Sequence, residues 1–134
     1  MHLDKGLRIL LVCEDSDAYK LILESMKMVD DDAQLLSCGL ENYKIVNLEF
    51  DAAILEFDQK DSIQNVFASI LNFKKNFEVP LFVMMDRPSS KDQIVALTVG
   101  ALSVIEKPIN KYGLSKQIED LLSWAWYYRW KNSK

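Results

Sequence analysis

Near its amino terminus the chain reads LRILLVCED (residues 7–15), in which five consecutive apolar residues are followed directly by two carboxylates. Four further short apolar runs come later, at residues 34–38, 52–55, 81–85 and 103–105. Short runs of this kind are typical of strands that are buried on both faces of a sheet. The chain therefore offers five candidate strands for one sheet.

Stretches with helical spacing separate these runs. Apolar residues recur three and four positions apart over residues 19–26 and 63–71, residues 94–97 mark a short helix, and residues 41–49 fit a helix only loosely. The last helix is expected to begin near Lys111 and to bury five apolar residues, Leu114, Ile118, Leu121, Leu122 and Ala125. Alternating strands and helices predict an α/β fold, in which a doubly wound, five-stranded parallel sheet carries helices on both faces in three layers.

The length and composition fit one domain across residues 1–134. Hydrophobic residues make up 49% of the chain and charged residues 27%, and the net charge of −4 argues against a general nucleic-acid-binding protein. No apolar run approaches the roughly 18–20 residues that span a bilayer, and no signal-peptide core precedes the first strand. Cys13 and Cys38 lack the spacing of a zinc site. We therefore expect a reduced, cytoplasmic protein with no membrane or nucleic-acid partner.

Charged residues follow three of the predicted strands. Glu14 and Asp15 come after the first strand, Glu56 ends the third, and Lys107 follows the fifth. The functional crevice of a doubly wound sheet lies beyond the carboxyl ends of its strands, where these side chains would converge if the strand order is 2-1-3-4-5. Crowded carboxylates need a raised pKa or a compensating positive charge, either Lys107 or a Mg²⁺ ion held by Glu14, Asp15 and Glu56. The alternative for each carboxylate is a role at the amino end of the following helix.

Four segments carry a resemblance to a known family. They are LRILLVCED (residues 7–15), FDAAILE (residues 50–56), VPLFVMM (residues 79–85) and GALSVIEKP (residues 100–108), of which the last is the most specific. Over residues 7–123 the chain resembles the receiver domains of two-component response regulators. This resemblance implies a flavodoxin-like (CheY-like) sheet of order 2-1-3-4-5. It also implies a phosphorylation site with an acidic pair after the first strand, a phosphoaccepting Asp ending the third, a Thr or Ser ending the fourth, an aromatic residue in the fifth and a Lys before Pro.

The match to this phosphorylation site is partial. Glu56 stands where the resemblance places the phosphoacceptor, and Lys107 is retained. Met85 takes the Thr or Ser position and Val104 the aromatic position, so a hydroxyl that would hold the phosphoryl group and a ring that would report its arrival are both missing. The extra methylene moves the Glu56 carboxylate by about 1.5 Å. Misplacement of a reacting group by about 1 Å costs on the order of a hundredfold in rate.

The acidic pair is also incomplete. Cys13 replaces its first member and Glu14 retains the second, whereas a one-residue shift of the alignment would make Glu14 and Asp15 the pair. We interpret the chain as a degenerate receiver, or pseudo-receiver: a non-enzymatic two-component or phosphorelay signalling module that acts by protein–protein interaction. Mimicry of phosphoaspartate by Glu56 is disfavoured because the hydroxyl and the ring are absent. Two alternatives remain open, an atypical response regulator phosphorylated elsewhere, such as at Asp58, and the amino-terminal assembly wing of a pyridoxal-phosphate-dependent amino-acid decarboxylase.

The carboxyl-terminal segment SWAWYYRWK (residues 123–131) holds all three tryptophans of the chain. Residues 124–134 would extend the last helix beyond the receiver-like core of residues 7–123, and aromatic residues are enriched where proteins bind one another. The candidate interface residues are Trp124, Trp126, Tyr127 and Trp130. The partner would be a signalling protein or a second copy, giving a homodimer, and the surface would include the helix between the fourth and fifth strands. The alternative is a helix that packs these rings back onto its own domain.

Overall fold

Five parallel strands alternate with four helices in the part of the chain that a computed structural model describes, residues 6–14, 16–39 and 49–133. The strands are β1 (Arg8–Val12), β2 (Gln34–Cys38), β3 (Ala52–Glu56), β4 (Leu81–Asp86) and β5 (Ser103–Lys107). The helices are α1 (Ser16–Val29), α2 (Ile63–Asn76), α3 (Ser90–Thr98) and α4 (Lys111–Asn132). The sheet order is β2-β1-β3-β4-β5 with every pairing parallel, which confirms the predicted doubly wound, flavodoxin-like fold.

The apolar core has two layers because the strands are apolar on both faces. In β1, Leu11 joins a cluster beneath α1 and α4, and Leu10 joins a second cluster beneath α2 and α3. Successive side chains of a strand point to opposite faces, so one short apolar run supplies both layers. Ile22 of α1 and Ile70 of α2 are fully buried on either side. The central strands are therefore held from both faces, and their carboxyl ends lie at a fixed edge.

Three strands continue past their apolar residues and end on a charged residue at this edge. The last residues of β3, β4 and β5 are the charged Glu56, Asp86 and Lys107. Glu56 lies opposite Met84, and Asp86 lies opposite Lys107. Backbone hydrogen bonding continues through these residues regardless of their polarity, which the apolar pattern does not report. As a consequence, the charged side chains project from ordered strands and not from loops.

The helices agree with the sequence pattern where they face the core. Helix α4 buries the five residues predicted for it. The hydroxyl of Ser62 accepts a hydrogen bond from the backbone of Asn65 at 3.1 Å and so caps α2. The helix that residues 41–49 fit loosely lies outside the described residues, except for Glu49, which belongs to no helix or strand. No described helix is long and apolar enough to cross a membrane.

Several apolar residues that predicted α2 and α3 remain exposed. The sheet covers only one side of each helix, and the short α3 meets the core chiefly through Ala96. A helical stripe of apolar residues predicts which side faces inward but not how wide the covered strip is. The exposed residues of this kind are Phe67 and Leu71 of α2 and Ile94 and Leu97 of α3.

Candidate functional site

Glu56 and Lys107 form a partly buried ion pair at the carboxyl edge of the sheet. The Lys107 ammonium donates a hydrogen bond to Glu56 Oε2. The Lys107 side chain is only 16% exposed and the Glu56 side chain only 6%. Opposite charges attract more strongly in such a shielded place than in water, and each compensates the burial of the other. The structure thus brings together two of the predicted site residues.

The ion pair joins two strands that are not neighbours. Strand β4 lies between β3 and β5, so the two side chains span two strand spacings, roughly 10 Å. The long stem of Lys107 and the extra methylene of Glu56 both help to close this distance. An Asp at position 56 would place its carboxylate about 1.5 Å short. Glutamate at this position therefore suits a permanent contact with the lysine.

Glu14 lies on the opposite side of β1 from Glu56. Its side chain is exposed, and its Oε1 faces Gly39 after β2 so closely that a Cβ on Gly39 would lie 2.7 Å away. Asp15 lies outside the described residues. Within the described ranges, no group of three His, Cys, Asp or Glu side chains could hold a metal ion. The pocket of three carboxylates with Mg²⁺ stays a prediction, and the position of Glu14 does not favour it.

Cys13 and Cys38, which form no disulfide, lie near Glu14 at the ends of adjacent strands. The backbone amide of Cys13 donates to the carbonyl of Cys38 at 2.9 Å, and the two side chains pack against opposite faces of the sheet. Partial burial, with the nearby Cys13 and Glu14, raises the pKa of the Cys38 thiol above its ordinary value. A raised pKa keeps a thiol protonated and poorly nucleophilic at neutral pH. This geometry fits packing residues better than a reactive pair.

Met85 and Val104 are both buried in the apolar cluster beneath α2 and α3. Neither side chain can donate a hydrogen bond, so neither can hold a phosphoryl oxygen. Met85 also lines a cleft of about 420 Å³ beyond β3 and β4, whose rim carries the carboxylates of Asp58, Asp61 and Asp86 among others. Of these three carboxylates, the sequence suggests a functional role only for Asp58, as an alternative phosphoacceptor. The rim is rich in negative charge, which does not favour the approach of an anion.

A second buried ion pair, which sequence analysis missed, lies at the amino edge of the sheet. Arg129 Nε donates to Asp51 Oδ1 at 3.0 Å and Nη2 donates to Oδ2 at 2.5 Å, so the contact is bidentate. Arg129 Nη2 also donates to the Gly6 carbonyl at 2.9 Å, and the Arg8 amide donates to Asp51 Oδ2 at 2.9 Å. This network ties the carboxyl-terminal part of α4 to the sheet. The local sequence around Arg129 shows only an arginine within an aromatic run, which does not point to Asp51.

The aromatic residues of α4 form two ring pairs, which are linked by Tyr127 and Trp130 with centroids 6.1 Å apart. Trp124 and Tyr127 meet edge to face with ring centroids 6.2 Å apart. Trp126 and Trp130 stack with centroids 6.4 Å apart and planes within 7°. Trp124, Trp126 and Tyr127 are each nearly half exposed. The rings are therefore not folded back completely onto the domain, and they leave apolar surface open to solvent.

Comparisons with known proteins identify the fold. No protein-family model and no curated protein sequence matches the chain. An orphan response regulator of H. pylori is similar in structure, with 21% sequence identity and a TM-score of 0.71, over 88% of this chain and 98% of that one. A response regulator from Hahella chejuensis has 24% identity and a TM-score of 0.67, over 90% of this chain and 95% of that one.

A third similar structure is described as an atypical orphan response regulator with a phosphorylation-independent regulatory mechanism. It shares 21% identity with this chain and has a TM-score of 0.63, over 87% of this chain and 96% of that one. In all three comparisons the match covers nearly the whole of the other chain, in agreement with the resemblance seen over residues 7–123. The chain has the fold of a response regulator receiver domain.

Proposed function

We propose that this chain is a non-enzymatic, receiver-like signalling module that does not accept phosphate in the usual way and acts by binding other proteins. The observation that carries the proposal is the partly buried ion pair between Glu56 and Lys107, at the positions where the receiver resemblance places the phosphoacceptor and the lysine before proline. Cys13 and Cys38 form no disulfide, which fits a cytoplasmic location.

The ion pair argues against phosphoryl transfer to Glu56 for two reasons. A nucleophilic carboxylate has to reach its phosphodonor, but Glu56 is 6% exposed and one of its oxygens is bonded to Lys107. Lys107 would have to stabilise the negative charge of the incoming phosphoryl group, and here a carboxylate already neutralises it. Met85 adds no donor for the remaining phosphoryl oxygens. Glu56 and Lys107 are thus already paired with each other, so neither is available to a phosphoryl group.

Signalling without phosphorylation requires that the surface itself be recognised. Exposed apolar residues lie on both helices that flank the edge strand β5, namely Ile94 and Leu97 on α3 and Trp124 and Tyr127 on α4. Large exposed apolar side chains of this kind are candidates for contact with a protein partner. The similar structure described as having a phosphorylation-independent regulatory mechanism supports the view that a protein with this fold can be regulated without phosphorylation.

A phosphorylation assay tests this proposal. The protein is incubated with acetyl phosphate and Mg²⁺, with an ordinary receiver domain as positive control for the donor, and its intact mass is measured. We expect no Mg²⁺-dependent gain of a phosphoryl group by the wild type. A rebuilt variant, Cys13→Asp/Glu56→Asp/Met85→Thr, restores the receiver-type residues at three positions: a second acid at position 13, the shorter carboxylate at position 56 and a hydroxyl at position 85. We expect this variant to be phosphorylated at position 56.

Two results would overturn the proposal. One is stoichiometric, Mg²⁺-dependent modification of Glu56 in the wild type. The other is modification elsewhere that disappears in Asp58→Asn but persists in Glu56→Gln, which would identify an atypical regulator with another acceptor. The side-chain oxygen of Asp58 accepts a 2.8 Å hydrogen bond from the Lys60 amide, and this turn would be altered by modification.

A further inference from the structure

The outward side of α4 carries a stripe of four exposed residues, Asp120, Trp124, Tyr127 and Lys131. Successive residues of an α-helix are about 100° apart, so these four positions fall within an arc of about 60°. Trp124 is 44% exposed and Tyr127 is 47% exposed. The stripe lies on the side of α4 away from the five residues that the helix buries in the core. It therefore faces away from the described domain.

The middle of the stripe is apolar and its two ends carry opposite charges. Asp120, Ser123, Trp124 and Tyr127 line a shallow hollow of about 410 Å³. None of the ion pairs formed among the described residues uses Asp120 or Lys131. A partner would thus meet an aromatic centre flanked by one negative and one positive group, neither of which forms an ion pair with another described residue.

The order of these groups makes the stripe complementary to itself. Trp124 and Tyr127 are three positions apart, Asp120 and Lys131 are eleven apart, and both pairs share the same midpoint along the helix. A second α4 running antiparallel across this midpoint would place its Tyr127 opposite Trp124 and its Lys131 opposite Asp120. Two-fold symmetry repeats each contact, giving two ion pairs around a cluster of four rings.

We infer that this stripe binds a second copy of the chain through antiparallel packing of α4 against α4. The inference rests on the proposed function, in which α4 is part of the contact surface, and names its partner. The contact involves only a few side chains per copy and is therefore small compared with a standard interface, which has roughly 20–30 residues per side. Association is therefore weak, with a Kd on the order of 10–100 μM.

Reversing the charges tests the pairing. Sedimentation equilibrium of the wild type is expected to give the 15.5 kDa of one chain at low concentration and twice that mass as the concentration rises. Asp120→Lys places two lysines opposite each other at both symmetric contacts, and Lys131→Asp does the same with two carboxylates. Either change is expected to raise the Kd about tenfold or more. The double variant Asp120→Lys/Lys131→Asp restores both pairs and is expected to return to within about threefold of the wild type.

Two matched controls isolate the stripe. Glu119→Lys makes the same change of charge one position away, on a different side of α4, and is expected to leave the Kd unchanged. Trp126 is as exposed as Trp124 but lies about 130° from the middle of the stripe. Trp124→Ala is therefore expected to abolish association and Trp126→Ala to preserve it. All substituted positions are exposed, and thermal unfolding of each variant checks that the domain remains folded.

A wild type that stays monomeric at every concentration overturns the inference and leaves the stripe to a different protein. A dimer that neither single charge reversal weakens, or one that the double reversal does not restore, overturns the antiparallel arrangement. These outcomes are separate from a failure of the proposed function. A monomer that takes no phosphoryl group refutes only the self-pairing, whereas phosphorylation of Glu56 refutes the proposed function whatever the mass.

Discussion

Replacing Lys107 with methionine measures how much the ion pair at the carboxyl edge contributes to stability. Methionine keeps much of the apolar stem of lysine and removes its charge, so the Glu56 carboxylate loses its partner while 6% exposed. Breaking a buried pair in this way costs about 3–5 kcal/mol. Lys107 is 16% exposed, so water partly reaches the site and we expect the lower end, about 3 kcal/mol. For a domain with a total stability of roughly 5–15 kcal/mol, Tm would fall by about 10 °C.

Urea unfolding followed by circular dichroism provides the assay, and a double-mutant cycle isolates the pair. Glu56→Gln should also destabilise, because it leaves the lysine without a counter-charge. The double variant Glu56→Gln/Lys107→Met has no buried charge left, so it should recover most of the loss, with a coupling energy of about 2 kcal/mol. The control is Arg87→Met. Its 3.4 Å contact with Asp86 involves an arginine that is 70% exposed, and its loss should cost less than about 0.5 kcal/mol.

The reasoning is refuted if Lys107→Met costs no more than Arg87→Met and the cycle is additive. In that case Glu56 and Lys107 would behave as an ordinary surface pair, and Glu56 would be free to react.

Three further predictions concern other parts of the fold. Arg129→Ala should lower the free energy of unfolding in urea by about 3 kcal/mol, because it leaves the buried Asp51 carboxylate without its bidentate partner. A variant as stable as the wild type would show that this pair does not hold α4 to the sheet. Burial raises the pKa of the Tyr128 phenol above its ordinary value of 10.0, so folding favours the protonated form and the free energy of unfolding should fall as the pH rises past 10. In Tyr128→Phe this loss of stability at alkaline pH should be smaller, and a pH profile identical to that of the wild type would contradict the assignment. Gly113→Ala should raise the free energy of unfolding by about 0.5–1 kcal/mol, because Gly113 lies in the first turn of α4 and nothing lies within 4 Å of the added methyl group. Gly6→Ala should lower it, because its methyl group would lie 2.0 Å from a backbone carbonyl oxygen. Thermal melts that rank the two variants in the opposite order would contradict the packing described around these glycines.

The parts of this molecule that repeat with a regular period were predictable from the sequence. The five buried residues of α4 follow from helical spacing, and the sheet order follows from the receiver resemblance. The meeting of Glu56 and Lys107 was expected from their places at the ends of strands. For the α4 residues and for Glu56 and Lys107, the position of a residue along a regular element determines the direction of its side chain.

Features without a local period were not predictable. The Arg129–Asp51 pair joins residues 78 positions apart, and neither residue carries a nearby signal of the other. Glu14 follows a strand end, where the alternation of the strand no longer determines its side chain, and it faces Gly39 instead of Glu56. Ile94 predicted a helix correctly but is exposed, because periodicity does not report how much of a helix its neighbours cover.

The most direct test of the central claim is ¹⁹F NMR of the protein with beryllium fluoride and Mg²⁺, since beryllofluoride binds a receptive carboxylate as a phosphoryl group would. The account predicts no Mg²⁺-dependent bound resonance from the wild type, because the Glu56 carboxylate is buried and held by Lys107. The rebuilt variant described above serves as the positive counterpart. A bound resonance in the wild type that disappears in Glu56→Gln would contradict the account, because it would show that Glu56 leaves its lysine and accepts the phosphoryl analogue.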